Sequence, residues 1–215
     1  MSADPFDYNT IQQYLTSLVP PRPAEMQAME DYAAKTDFPI IGAAAGYACY
    51  QMARMIGAKS VFEMGSGYGY STAWFARAVR ENGGGVVHHT VWDEKLSNMA
   101  REHLGRLGYS DLMQYHVAEA VETLRNTEGL FDLIFNDIDK EAYPTSLSLI
   151  KEKLRPGGVL IIDNLLWHAR IFDEADQSKN TTAIRQFTRM ITTDPDWIVN
   201  LMPVRDGVLV AYKQS

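Results

Sequence analysis

One cysteine, Cys49, stands in a chain of 215 residues. A single thiol forms no internal disulfide and no zinc cluster, so neither device holds this chain together. It reads as a small buried side chain. Positive charge is also scarce: 20 Lys and Arg face 27 Asp and Glu, a formal net charge of −7. Grasping a nucleic-acid backbone requires a basic face, so no nucleic-acid partner is expected. A long apolar run is missing too. The most apolar window, residues 40–58, carries Gln51 and Arg54 and alternates its faces, so no membrane span is expected. The start, Met1-Ser2-Ala3-Asp4-Pro5, has neither basic residues nor an apolar stretch, and no signal peptide is read there. Fixed-period repeats and low-complexity tracts are absent from the sequence. What is present is 46% hydrophobic and 22% charged residues, enough for an ordinary core. A cytoplasmic protein of one domain, residues 1–215, is the expectation.

Residues 9–18 and 24–36 read as short helices separated by the Pro20-Pro21-Arg22-Pro23 breaker. Residues 43–56, rich in Ala, Met and Tyr, read as a third. From Ser60 onward, short apolar runs alternate with amphipathic segments. Strands are predicted at 60–64, 85–91, 112–117, 131–135, 158–162, 197–202 and 208–213. Helices are predicted at 71–80, 95–107, 120–125, 145–154 and within 180–192. This alternation implies crossover connections and a mostly parallel sheet covered on both faces. The turn Pro203-Val204-Arg205-Asp206-Gly207 is hairpin-like, which makes the last strand antiparallel. The predicted fold is a doubly wound, Rossmann-like α/β sheet of seven strands. A helical segment, 1–40, precedes a core at 41–215.

Ligands of open α/β sheets bind beyond the carboxyl ends of the strands. There the first strand runs into Glu63-Met64-Gly65-Ser66-Gly67-Tyr68-Gly69-Tyr70-Ser71. Glycines at every second position permit a tight turn and close backbone approach, and Ser71 is able to cap the next helix. Taken alone, such a loop is also compatible with a turn that holds no ligand. A dinucleotide loop is the other alternative, although its G-x-G-x-x-G spacing differs.

Two later runs narrow the choice: Phe131-Asp132-Leu133-Ile134-Phe135-Asn136-Asp137-Ile138-Asp139-Lys140-Glu141-Ala142-Tyr143, and Leu154 through Asp163-Asn164-Leu165-Leu166-Trp167. With the glycine loop they resemble the cation-dependent catechol and caffeoyl-coenzyme A O-methyltransferases, a family of class I S-adenosylmethionine-dependent methyltransferases. The resemblance spans residues 41–213 and includes the ending Leu201 to Gly207. It implies transfer of a methyl group from S-adenosylmethionine to a hydroxyl of a catechol-like vicinal diphenol, releasing S-adenosylhomocysteine.

Residue by residue, the resemblance sets Ile41, Glu63, Gly65, Gly67, Tyr70, Ser71 and Asp137 against the amino-acid half of the cofactor. Glu119 and Ala120 fall near its adenine. The family has an acidic residue for the ribose where this chain has Val91, so Asp93 or a water is expected to substitute. Asp137, Asp163 and Asn164 follow two apolar strands and match the family's metal ligands. Neighbouring strands lie about 4.8 Å apart, and two carboxylates with an amide oxygen suit Mg²⁺, with Mn²⁺ or Ca²⁺ as alternatives. Without the resemblance, Asp163-Asn164 would read as a turn. Lys140 matches the family's general base, beside the catalytic Asp137; its other reading is a salt bridge with Asp139 or Glu141. Substrate contacts are expected from Lys140, Asn164, Trp167, His168 and Asp206.

His88-His89 reads as strand packing rather than a metal site. The Tyr47 to Met55 stripe reads as helix packing or a subunit interface, and a homodimer is the family habit. Two other functions compete: an oxidoreductase, and a relative that binds cofactor without catalysis. The missing G-x-G-x-x-G spacing and the metal set disfavour the first, and the metal set with Lys140 disfavours the second.

Overall fold

The period of two in the apolar runs sets up the sheet. In β1 (Ser60–Met64), Val61 and Glu63 leave one face while Phe62 and Met64 leave the other, and all four are buried. β4 (Phe131–Asn136) and β5 (Leu154–Ile162) repeat the pattern with Leu133, Phe135, Val159 and Ile161 against Ile134, Leu160 and Ile162. A sheet apolar on both faces needs helices on both. The computed structural model, which describes residues 7–214, supplies them. The expectation made for Met1–Pro5 lies outside the described residues.

Three helices come first: α1 (Tyr8–Ser17), α2 (Ala24–Thr36) and α3 (Gly42–Met55). After β1 follow α4 (Tyr70–Glu81), β2 (Val86–Val91), α5 (Glu94–Arg106), β3 (Met113–Val117) and α6 (Ala120–Asn126). β4, α7 (Tyr143–Lys153), β5, α8 (Lys179–Thr193), β6 (Trp197–Met202) and β7 (Val208–Lys213) complete the chain. The strand order is β3-β2-β1-β4-β5-β7-β6. All neighbours are parallel except β7, which runs antiparallel to both β5 and β6. This is the doubly wound seven-stranded sheet that the alternation predicts. None of the described helices is long and apolar enough to cross a membrane.

One face carries the cluster built on Val61, Leu133, Phe135 and Ile161, which α2 joins through Met26, Met29 and Ala33. The other is built on Phe62, Ile134 and Leu160 with Ile184 and Phe187 of α8. α3 packs on α4 with Gly46 beneath the Trp74 indole, where an added Cβ would strike the ring. The tyrosine stripe joins this packing, with Tyr47 edge-on to Trp74 at 5.9 Å.

Two local predictions are corrected. β5 starts at Leu154 rather than 158, because Leu154 pairs with Phe131 and the Arg155 Nε donates to Asp132 Oδ1 at 2.5 Å. Ser71 does not cap α4. The capping position is Gly69 at φ +93°, and Ser71 lies inside the helix.

The chain leaves β1 for β2 and β3 on one side, then crosses back to place β4 on the other. That reversal opens a crevice at the carboxyl ends of β1 and β4, where such sheets hold ligands.

Candidate active site

Gly65 opens the β1–α4 loop at φ +83°, and a Cβ there would strike the backbone oxygen of Asp137. Only glycine lets the end of β1 pass this close to the end of β4. The Asp137 amide completes the contact, donating to Met64 O at 2.9 Å. Beside the loop is a narrow cleft of about 40 Å³, lined among others by Ile41, Gly65, Gly67, Tyr70, Ser71 and Asp137. It shares Gly65 and Asp137 with a larger cavity of about 960 Å³.

Glu63 lies beneath the loop rather than in the cleft. It is fully buried, accepts a hydrogen bond from the Thr72 hydroxyl, and lines neither cavity. Burial pushes its carboxyl up to about 7, against the hydroxyls of Ser71, Thr72 and Ser66 that hold the charged form. Thr72 also meets His89 Nδ1 at 3.2 Å, so Glu63 braces the loop from below.

The ends of β4 and β5 bring Asp137, Lys140, Asp163 and Asn164 to the wall of the large cavity. Asp163 is 5% exposed, and its Oδ1 has no partner among the described residues. Burial, then the negative charge of Asp137, pushes its carboxyl up to about 7. Asp137 is raised by burial as well, opposed by the Lys140 charge. Lys140 Nζ donates to Asp137 Oδ1 at 2.7 Å, to Tyr143 OH at 2.9 Å and to Ile138 O at 3.2 Å. Its ion pair is therefore with Asp137, not with Asp139 or Glu141. Two acids at adjoining strand ends, one with a bare buried oxygen, fit a hard divalent cation. The third donor of such a set is the Asn164 amide, which needs no further acid; no trio of His, Cys, Asp or Glu gathers among the described residues.

The segment after β5 runs in an unusual conformation. Asn164, Trp167, His168 and Ala169 all have φ between +48° and +64°, a cost of about 1–3 kcal/mol each that surrounding contacts must offset. Those contacts come from the β6–β7 turn. Leu166 N donates to Asp206 O at 2.8 Å, Leu165 N to Gly207 O at 3.0 Å, and His168 N to Asp206 Oδ1 at 2.5 Å. Trp167, His168 and Asp206 thereby reach the large cavity, as expected of substrate contacts. A second cavity of about 680 Å³ shares His168, Arg205 and Asp206 with it, and α1 forms its roof through Tyr8, Asn9 and Gln12. Gln12 fastens α1 to the turn, donating to Pro203 O at 3.1 Å and accepting from Arg205 N at 2.7 Å.

Two acids assigned to the nucleoside end are not brought in. Asp93 Oδ1 accepts from Leu96 N at 3.0 Å, capping α5. Glu119 accepts from Val121 N and Glu122 N at 2.9 and 2.6 Å, capping α6. Neither lines the cavity, whereas Val91, Trp92 and Ala120 do. Sequence reasoning missed Tyr143, which closes the D-x-x-K-x-x-Y run, and the α1 residues, which no local pattern ties to the site.

A family model described as O-methyltransferase matches residues 26–214. The chain is 26% identical over 190 residues to a catechol O-methyltransferase of Niastella koreensis, covering 86% of this chain and 85% of that protein. It is 27% identical over 166 residues to a probable caffeoyl-CoA O-methyltransferase of Dictyostelium discoideum, covering 74% and 71%. The O-methyltransferase TomG of Streptomyces achromogenes, solved in complex with SAM, shares the fold at a TM-score of 0.87. It is 22% identical over 99% of this chain and 100% of that one.

Proposed function

This chain belongs to the O-methyltransferase family, and on that premise we propose that it methylates one hydroxyl of a small vicinal diphenol, using S-adenosylmethionine and a divalent cation. The observation that carries the reading is the pair of half-buried Asp137 and buried Asp163 with Lys140 and Asn164 on one cavity wall, next to the glycine-loop cleft. Against an oxidoreductase stands the G-x-G-x-G spacing of the loop, which is not the dinucleotide pattern.

Asp137, Asp163 and Asn164 would hold the cation. It would supply a Lewis acid that makes a chelated phenol easier to ionise. The cleft at Ile41, Gly67 and Ser71 would hold the amino-acid end of S-adenosylmethionine, the source of an electrophilic methyl group. As a free amine, Lys140 would take up the proton that the phenol gives up, while the methyl moves from sulfur to oxygen and S-adenosylhomocysteine leaves. Its three contacts fix the nitrogen beside Asp137, so the proton has one defined destination. The Trp167–His168 segment, braced by Asp206, walls the acceptor ring and holds the hydroxyl in line. The partners proposed are this phenolic acceptor and a second copy of the chain.

Methyl transfer to a panel of catechols, with and without EDTA, tests the reading. EDTA is expected to abolish turnover and excess Mg²⁺ to restore it. Asp163→Ala is expected to be inactive while melting within a few degrees of the parent, because the sheet beneath it is untouched. Full turnover in excess EDTA overturns the metal assignment.

A further inference from the structure

Val91 ends β2 at the rim of the large cavity and is 7% exposed. In doubly wound sheets, a carboxylate about 20 residues after the glycine turn accepts hydrogen bonds from a ribose diol. A valine side chain accepts none. The acids that cap α5 and α6 do not stand in for it. Asp93 commits Oδ1 to the first turn of α5, Glu119 commits both oxygens to the first turn of α6, and neither residue lines the cavity. What faces the cavity here is Val91, Ala118, Ala120 and the indole of Trp92, which is 68% exposed. Thr90 also lines the cavity, and its buried Oγ1 has no partner among the described residues. Its side chain leaves the opposite face of the strand from Val91, so its hydroxyl does not reproduce a diol clamp.

Resting on the reading of this cavity as an S-adenosylmethionine site, we propose that the chain binds its cofactor without recognising the ribose hydroxyls, and that Val91 sets this tolerance. An apolar wall and an aromatic ring respond to the base, whose π-face stacks whatever the sugar carries. A charged acceptor responds to the hydroxyl itself, and losing such a bond costs about tenfold or more in dissociation constant. Where no side-chain carboxylate accepts from the diol, removing a hydroxyl forfeits no charged hydrogen bond on the protein side. The 2′-deoxy and 3′-deoxy forms of the cofactor are therefore ligands of this chain, of nearly the same affinity as the parent.

Calorimetric titration of the whole protein with S-adenosylhomocysteine and with its 2′-deoxy and 3′-deoxy forms tests this, with no turnover involved. All three dissociation constants are expected within about threefold of one another. In Val91→Glu the parent is expected to bind roughly tenfold tighter than either deoxy form. Should the buried carboxylate unfold that variant, Val91→Gln offers a neutral acceptor and the same preference in weaker form. A loss of more than threefold for either deoxy form in the unaltered protein overturns the proposal. A folded Val91→Glu that ranks all three alike removes Val91 as the determinant. If S-adenosylhomocysteine does not bind at all, the cofactor reading itself fails, and the proposal falls with it.

Discussion

Tyr143 is the residue on which the two strand ends and the lysine converge. Its hydroxyl lies 2.9 Å from Lys140 Nζ, 3.1 Å from Asp163 O and 3.3 Å from Asn136 O, with the side chain fully buried. Burial, reinforced by the negative charge of Asp137 and Asp163, pushes the phenol well above its ordinary value. It stays protonated, donating to one carbonyl while accepting from the ammonium. Tyr143→Phe keeps the packing and deletes this junction. A hydrogen bond of about 1.4 kcal/mol corresponds to roughly tenfold in rate, and kcat is expected to fall by about that factor. KM for the acceptor and the dissociation constant for S-adenosylhomocysteine are expected to stay within about twofold. Steady-state kinetics beside calorimetry read both. A raised KM with unchanged kcat would make Tyr143 a packing residue. The sequence displays this tyrosine three places after Lys140 but not its role, since its partners sit on β4 and β5 and meet only when the strands pair.

Among the elements, β2 and β3 carry a titrating pair remote from catalysis. His88 Nδ1 and His116 Nε2 are 3.0 Å apart, their rings nearly parallel at 5.3 Å, and Phe62 stacks on His88 at 5.6 Å. One neutral imidazole donates and the other accepts; two imidazoliums could not share the contact. Burial pushes His88 down to about 4, with His116 adding to the effect, and burial lowers His116 too. An unfolded histidine titrates near 6.5. Between pH 6.5 and 4 the unfolded chain thus gains protons that the folded one refuses, and stability drains away as pH falls. Above pH 6.5 the contribution is complete. Glu63 and Asp163, raised to about 7, act in the opposite sense, so the effect is read against a variant. Urea melts from pH 7 to 4 are expected to fall more steeply for the parent than for His88→Gln. Parallel curves would mean that the pair titrates as free histidine does. The packing role of His88-His89 was legible in the strand pattern; the partner His116, on another strand, was not.

Across the whole molecule, legibility followed where the apolar surface lies. The central strands β1, β4 and β5 stood out because both faces of the sheet are buried there, so each reads as an apolar run. Asp137, Asp163 and Lys140 stood out because they follow such runs in motifs that resemble a known family's. The roof did not, since Gln12 bonds residues 191 and 193 positions away. Nor did the left-handed backbone of Trp167, His168 and Ala169, a conformation that Trp and Ala seldom adopt. Asp93 and Glu119 are instructive: each precedes a helix and caps it, yet resemblance assigned them to a ligand. The order β5-β7-β6 yields a prediction at this scale. A chain cut after Gly207 loses β7 and with it the ladder that holds β6. Trp197, 6% exposed, is expected to become solvated, with red-shifted fluorescence. Amides of β6 are expected to exchange fast while those of β1 and β2 stay protected. Continued protection of β6 would show that it joins the sheet alone.

The same order constrains birth on the ribosome. Strands emerge in the order of the sequence, and β6 appears before β7, its hydrogen-bonding neighbour among the described strands. β1, β4 and β5, whose ends lead into the glycine loop, Asp137 and Asp163, are all synthesised before β6. Emergence of Val208–Lys213 then fills the gap beside β5 and draws in β6, and the turn before it delivers Asp206 to His168 and the Arg205 amide to Gln12. A chain that lacks β7 therefore lacks the Asp206 brace of the Trp167–His168 segment, although every residue of the glycine loop is already present.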